Sequence, residues 1–210
     1  MSHLALLGDS TFDNAAYVGA GPALVDQVRE RLPAGWRVTL LAVDGSLIAD
    51  VLGQLAALAD DVSHLVVSVG GNDLLAELSV LGARVGTVGE GLGRLAAIRD
   101  RFERDYDRML QAIDALGHPA ALCTIYNPRF TDASLQREAT AAIALFNDTI
   151  IRAARPARLP VLDLRAVCTA EDDYATPIEP SAAGGAKMAR AIGDLLLQHD
   201  FTRRRSALWP

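Results

Sequence analysis

The sequence predicts a three-layer α/β/α sandwich, flavodoxin-like in topology, built on a five-stranded parallel sheet. Three observations carry this reading. Short apolar runs of β character recur five times along the chain, segments with helical spacing separate them, and 210 residues, 50% of them apolar, suffice for one core in a single domain over 1–210.

The β-like runs are Leu4 to Leu7, Val38 to Val43, Leu65 to Val69, Ala120 to Ile125 and Val161 to Leu164. Between the first two, Leu24, Val25, Val28 and Leu32 form one helical face, opened by Pro22 and closed by Pro33. Between the third and fourth, Leu95, Ile98, Phe102, Tyr106, Met109, Ile113 and Leu116 keep the three-and-four spacing of a long core-facing helix. A further helix is expected over about Asp132 to Ala154, with Leu135, Ile143, Phe146 and Ile150 facing inward, and a last one around Ala183 to Gln198. Alternation of this kind, with right-handed crossovers, stacks helices on both faces of the sheet. Leu78 to Gly93 breaks the pattern: Gly82, Gly86, Gly89, Gly91 and Gly93 crowd it, so it reads as a loop over the strand ends, either a substrate lid or a surface excursion.

Formal net charge is −6 and the 20 basic residues form no stripe, which leaves no electrostatic footprint for a nucleic acid. The basic run Arg203 to Arg205 reads as a solvated terminus. No apolar stretch approaches the ~20 residues that cross a bilayer, and the residues after Met1 show no secretory signal, so a soluble cytoplasmic protein without a membrane partner is expected. The two cysteines, Cys123 and Cys168, then read as reduced thiols, Cys123 as plain core.

In an open parallel sheet, ligands bind beyond the carboxyl ends of the strands, where strand order reverses. After the first run comes Gly8-Asp9-Ser10, after the second Asp44-Gly45-Ser46, after the third Gly70-Gly71-Asn72-Asp73. All three clusters fall on one edge. Ser10 offers a hydroxyl nucleophile on a strand-to-helix turn, Gly45 an amide that a substrate can approach closely, and Asn72 a side-chain amide aimed by the Gly70-Gly71 turn. Three donors converging on one developing oxyanion, from the Ser10 amide, the Gly45 amide and the Asn72 side chain, suit acyl transfer. Asp9 and Asp73 fit turn organisers better than proton carriers.

In this order and strand placement the sequence resembles the SGNH (GDSL-type) hydrolase family: Gly8-Asp9-Ser10 matches its first block, Gly45 its second, and Gly70, Asn72 and Asp73 its third. The resemblance implies an esterase or acyl hydrolase, acting on a small-molecule ester or acylated substrate without cofactor or metal. The family's fourth block is an Asp-x-x-His before the final helix, and here that place reads Thr176-Pro177-Ile178-Glu179. Both catalytic positions depart from the pattern, although Pro180 to Ala189 still resembles the closing helix, with Ser181 as its N-cap.

No other histidine substitutes. His3, His64 and His118 each precede a β run, and a six-residue strand spans ~20 Å. His199 follows a helix that runs away from the active edge, ~24 Å off at ~1.5 Å per residue. A general base must then be a carboxylate: Glu179 by alignment, with Asp172 and Asp173 as alternatives. An ordinary glutamate, at ~4.3 against ~6.5 for histidine, pulls a serine proton with less driving force, a loss that burial partly recovers. The competing role for Glu179 is structural, as a cap of the final helix or a partner of Arg165. Tyr126, Asn127 and Arg129 follow the fourth run and are candidates to line the pocket. The expected activity is therefore a serine hydrolase with Ser10 as nucleophile and Glu179 in place of the histidine, or the related acyl transfer to an acceptor other than water. The alternative is a pseudoenzyme that binds an acylated or anionic small molecule without turnover. A redox or signalling flavodoxin-like module has less support, because the turn after the first run is poor in phosphate-cradling residues.

Overall fold

The computed structural model describes residues 2–203 and 205–210, so Met1 and the Arg204 of the basic run lie outside the described residues. Strands β1 (Ser2–Gly8), β2 (Trp36–Leu40), β3 (His64–Ser68), β4 (Ala120–Cys123), β5 (Val161–Leu162) and β6 (Leu208–Trp209) form one sheet in the order β2-β1-β3-β4-β5-β6. Every pairing is parallel.

The sequence reading of five strands is corrected by one. The Val161 amide donates to the Ala207 carbonyl and the Asp163 amide to the Trp209 carbonyl, both at 2.8 Å, which adds the tail to the edge of β5. Two residues carry no periodicity, so such a strand leaves no pattern to read.

Among the described residues seven α-helices accompany the strands: α1 (Leu24–Arg31), α2 (Val51–Ala56), α3 (Gly71–Ala76), α4 (Val88–Leu116), α5 (Ala133–Ala157), α6 (Leu164–Val167) and α7 (Ala182–Gln198). Strand pleating assigns them to two layers. Leu4 and Leu6 of β1 pack with Leu24 and Val28 of α1 and Met188, Ile192 and Leu195 of α7. Ala5 and Leu7 face the other way, into a core with Val51, Phe102, Tyr106, Phe146 and Ile150 from α2, α4 and α5.

The glycine-rich segment is more ordered than its composition suggests. Leu78–Gly82 is a 3₁₀ turn, and α4 already begins at Val88, inside the stretch read as a loop. Thr87 Oγ1 accepts from the Glu90 amide at 3.1 Å while Glu90 Oε2 accepts from the Gly86 amide at 2.9 Å, an arrangement close to a capping box that offsets the glycine cost.

Candidate active site

Strand order reverses at β1. Its neighbour β2 lies on one side and β3 on the other, so the loops after these three strands meet at one edge. Ser10 stands two residues beyond β1, where Gly8 adopts a φ of 129° and an added Cβ would overlap the Ser68 carbonyl. Only glycine lets β1 and β3 run this close. The Asp9 amide donates to the Ser68 carbonyl at 3.2 Å, and Asp9 Oδ1 accepts from the Thr11 amide at 3.0 Å. Asp9 is therefore the turn organiser that its position suggested, with burial pushing its carboxyl up to about 6.

The buried Gln54 side chain fixes the strand end from the other direction. It accepts from the Gly8 amide at 2.7 Å and donates to the Gly8 carbonyl at 2.9 Å. Gly45 has a φ of 82° with open space beside it. Among the described residues, neither the Ser10 amide nor the Gly45 amide has a hydrogen-bond acceptor, so both donors are uncommitted. Asn72 Nδ2 donates to the Ser46 carbonyl at 3.0 Å, tying α3 to the loop that carries Gly45. An amide nitrogen carries two protons, and this bond uses one.

Glu179 is only 8% exposed and lines the same cavity as Ser10 and Asn72. Its backbone sits in a narrow turn closed by the Tyr174–Pro180 bridge, with the Ala175 amide donating to the Glu179 carbonyl at 2.9 Å. Thr176, where the family places an aspartate, turns its hydroxyl to the Glu179 amide at 3.1 Å and so supports the turn rather than the carboxylate. Both structural roles considered for Glu179 are filled by other residues. Ser181 caps α7, accepting from the Ala183 and Gly184 amides, and Arg165 pairs with Asp163 at 2.6 Å. Burial pushes the Glu179 carboxyl up to about 7, a Ser10 hydrogen bond acts in the opposite sense, and the charges of Asp44 and Asp9 raise it further. Glu179 Oε2 is buried and has no partner among the described residues.

The other candidate bases are differently employed. Asp173 is buried beneath Lys187 at 2.7 Å and accepts from the Thr169 and Ala170 amides at 2.9 Å each, while Asp172 is exposed. The four histidines lie at the opposite edge. His3 and His64 begin β1 and β3, and His118 and His199 line one surface depression there with Phe201. His3 bonds Asp61 at 2.9 Å and Thr39 at 2.8 Å.

From Ser10 an apolar cavity extends beneath the loops after β3 and β4, walled by Leu74, Leu78, Leu81, Ile98, Ile143 and Phe146. Tyr126 lines it and donates to the Ile178 carbonyl at 2.6 Å. Asn127 and Arg129 do not line it; they hold the Glu179 turn, the Asn127 carbonyl accepting from the Tyr174 hydroxyl at 2.7 Å and the Arg129 amide donating to the Pro177 carbonyl at 2.7 Å. The wall from α3 was missed by the sequence reading, whereas the 3₁₀ turn lies in the Leu78 to Gly93 stretch that it offered as a substrate lid. The apolar residues Leu74, Leu75, Leu78, Val80 and Leu81 directly after Asn72 were the available signal.

Among solved structures the fold is similar to an extracellular lipase from Streptomyces rimosus, with a TM-score of 0.68 at 16% identity over 90% of this chain and 97% of that one. A phospholipase A1 from Streptomyces albidoflavus NA297 gives 0.65 at 15% identity, over 90% and 96%. An acetyl xylan esterase from Geobacillus stearothermophilus gives 0.62 at 18% identity, over 91% and 92%. At these identities the likeness is one of fold. No match to the chain was found among curated protein sequences. Residues 6–187 match the GDSL-like lipase/acylhydrolase family, a span that runs from β1 through the Ser10 turn and the Glu179 turn into α7, and the chain belongs to that family.

Proposed function

We propose that the protein hydrolyses esters with an apolar acyl chain, using Ser10 as nucleophile and Glu179 as general base. The observation that carries this reading is a buried carboxylate beside the serine of the nucleophile turn, at a site with two uncommitted backbone amides. Ser10 Oγ attacks the acyl carbon as its proton passes to Glu179. The Ser10 amide, the Gly45 amide and the second Asn72 Nδ2 proton stabilise the oxyanion. Collapse breaks the bond to the alcohol oxygen, which takes the proton back from Glu179, and water then repeats the sequence to release the acid and restore Ser10. The apolar cavity receives the acyl chain.

Incubation with a fluorophosphonate followed by intact-mass measurement tests this. One adduct is expected, absent from Ser10→Ala, together with turnover of p-nitrophenyl butyrate. Labelling that persists in Ser10→Ala overturns the nucleophile. Labelling without turnover favours the pseudoenzyme reading, for which the specific observation is that no carboxylate stands behind Glu179 where the family has one.

A further inference from the structure

Glu179 has no side-chain partner behind it. Its Oε2 is buried and unpaired among the described residues, and Thr176, three residues earlier, turns its hydroxyl to the Ile178 and Glu179 amides at 3.3 and 3.1 Å. A carboxylate in that position is aimed by its own backbone, so whatever holds the backbone decides where the carboxylate points.

The turn around Glu179 hangs from the loop after β4. Two consecutive carbonyls are held there: Pro177 accepts from the Arg129 amide at 2.7 Å and Ile178 from the Tyr126 hydroxyl at 2.6 Å. That loop is itself anchored. The Thr124 amide donates to the Leu162 carbonyl at 3.0 Å, continuing the sheet past β4. The buried Asn147 side chain of α5 brackets Ile125, accepting from its amide at 2.8 Å and donating to its carbonyl at 2.7 Å. Tyr126 therefore follows directly on constrained backbone. Its ring is buried, meets Tyr174 edge to face at 5.8 Å, and lines the cavity with Ser10 and Glu179. A side-chain hydrogen bond of Thr11, next to Ser10, acts on the same hydroxyl. One phenol thus joins the Ser10 turn to the Glu179 turn. Packing alone would accept a phenylalanine here. What the hydroxyl adds is a fixed distance between the anchored loop and the peptide bond that leads into Glu179.

We propose that Tyr126 is a positioning residue for the reaction, its hydroxyl orienting Glu179 through the Ile178 carbonyl in the absence of a carboxylate behind the base. This rests on the ester-hydrolase reading for the role of Glu179, whereas the placement of the carboxylate does not. A base displaced by about 1 Å can lose about two orders of magnitude in rate with no change in substrate contacts. The groups that face the Glu179 carboxyl are Ser10, Asp9 and Tyr17 from the segment after β1, Asp44 from the loop after β2, and Tyr126 itself. None of them is a cation, and burial is the main cause that raises the carboxyl. Freeing the turn wets the carboxyl and lets it ionise at lower pH.

Tyr126→Phe tests this, because it keeps the ring and the cavity wall and removes only the hydroxyl. With ethyl butyrate at pH 8, kcat should fall about tenfold or more while KM stays within about twofold. The Glu179 carboxyl, followed by NMR in protein carrying ¹³C-labelled glutamate and identified by its absence from Glu179→Gln, should titrate at a pH lower by about 0.5 or more than in the wild type. A hydroxyl that serves only stability lowers the urea midpoint and leaves kcat and the titration in place; one that serves only the cavity wall raises KM alone. Either result overturns the proposal, as does an unchanged kcat in an active protein, or an unmoved titration whatever the rate does. An unmoved titration with Ser10 still labelled by fluorophosphonate leaves ester hydrolysis standing without this role for Tyr126. A shifted carboxyl in a protein whose Ser10 stays unlabelled removes hydrolysis and keeps the positioning of Glu179.

Discussion

Replacing Glu179 by glutamine keeps the shape of the side chain and removes its proton-accepting charge. With the carboxyl at about 7, the ionised fraction falls to roughly 10% at pH 6 and roughly 1% at pH 5. If Glu179 is the base, kcat/KM should therefore rise about a hundredfold from pH 5 to pH 8 and level off near neutrality. The rise goes beyond the partial recovery by burial that the sequence reading allowed for. Asp9, at about 6, titrates in the same window, so the variant rather than the wild-type curve makes the assignment. Glu179→Gln should lose roughly 10²-fold or more at pH 8 and show no rise through pH 7. Release of butyric acid from ethyl butyrate, followed by chromatography so that the detected product is independent of pH, measures both curves. The same residue makes an independent statement about stability. Its folded carboxyl lies above the ordinary glutamate value of 4.5, so its stabilising contribution is complete below 4.5 and is lost as pH rises through about 7. Glu179→Gln should then raise the unfolding free energy at pH 8 by something of the order of 1 kcal/mol, discounted for the partly wet surroundings, and by less at pH 5. A variant that keeps full turnover at pH 8, or a wild-type rate that is flat from pH 5 to pH 8, refutes the assignment.

His3, His64, His118 and His199 can each become glutamine without loss of turnover, since all four lie on the edge opposite Ser10; a hundredfold fall in kcat/KM for one stably folded variant would contradict that. Gly8→Ala should cost about 3 kcal/mol or more in urea unfolding, because the new Cβ meets the Ser68 carbonyl and φ is positive. A cost under about 1 kcal/mol would show that β1 and β3 can part there.

The features legible in the sequence are those with a repeating or positional signal. Leu4 to Leu7 and Leu65 to Val69 stand out as buried strands because both faces of a central parallel strand are covered. The clusters at Ser10, Gly45 and Asn72 are legible because each comes directly after a β run, on the edge where a parallel sheet takes its ligands. Glu179 is marked by its place before α7, yet its raised ionisation is not, because it depends on burial that the Tyr174–Pro180 turn creates. The start of α4 is obscured by Gly89, Gly91 and Gly93, although Thr87 and Glu90 carry a capping signal three residues apart. The link from Tyr126 to the Glu179 turn is invisible for another reason: its hydroxyl and the Ile178 carbonyl stand 52 residues apart, and only the fold unites them.

The tail strand β6 also governs how the molecule meets its own copies. A parallel sheet that ends on an unpaired strand offers a template for another chain. Here β6 occupies the free side of β5, and on the far side Arg29 donates to the Val38 carbonyl of β2 at 3.2 and 3.3 Å, blocking one acceptor along that margin. β6 is then the edge itself, but at two residues it offers little template, so growth of the sheet by strand addition is opposed at one end by a very short edge strand and at the other by a guanidinium, and loss of the final residues would unmask β5.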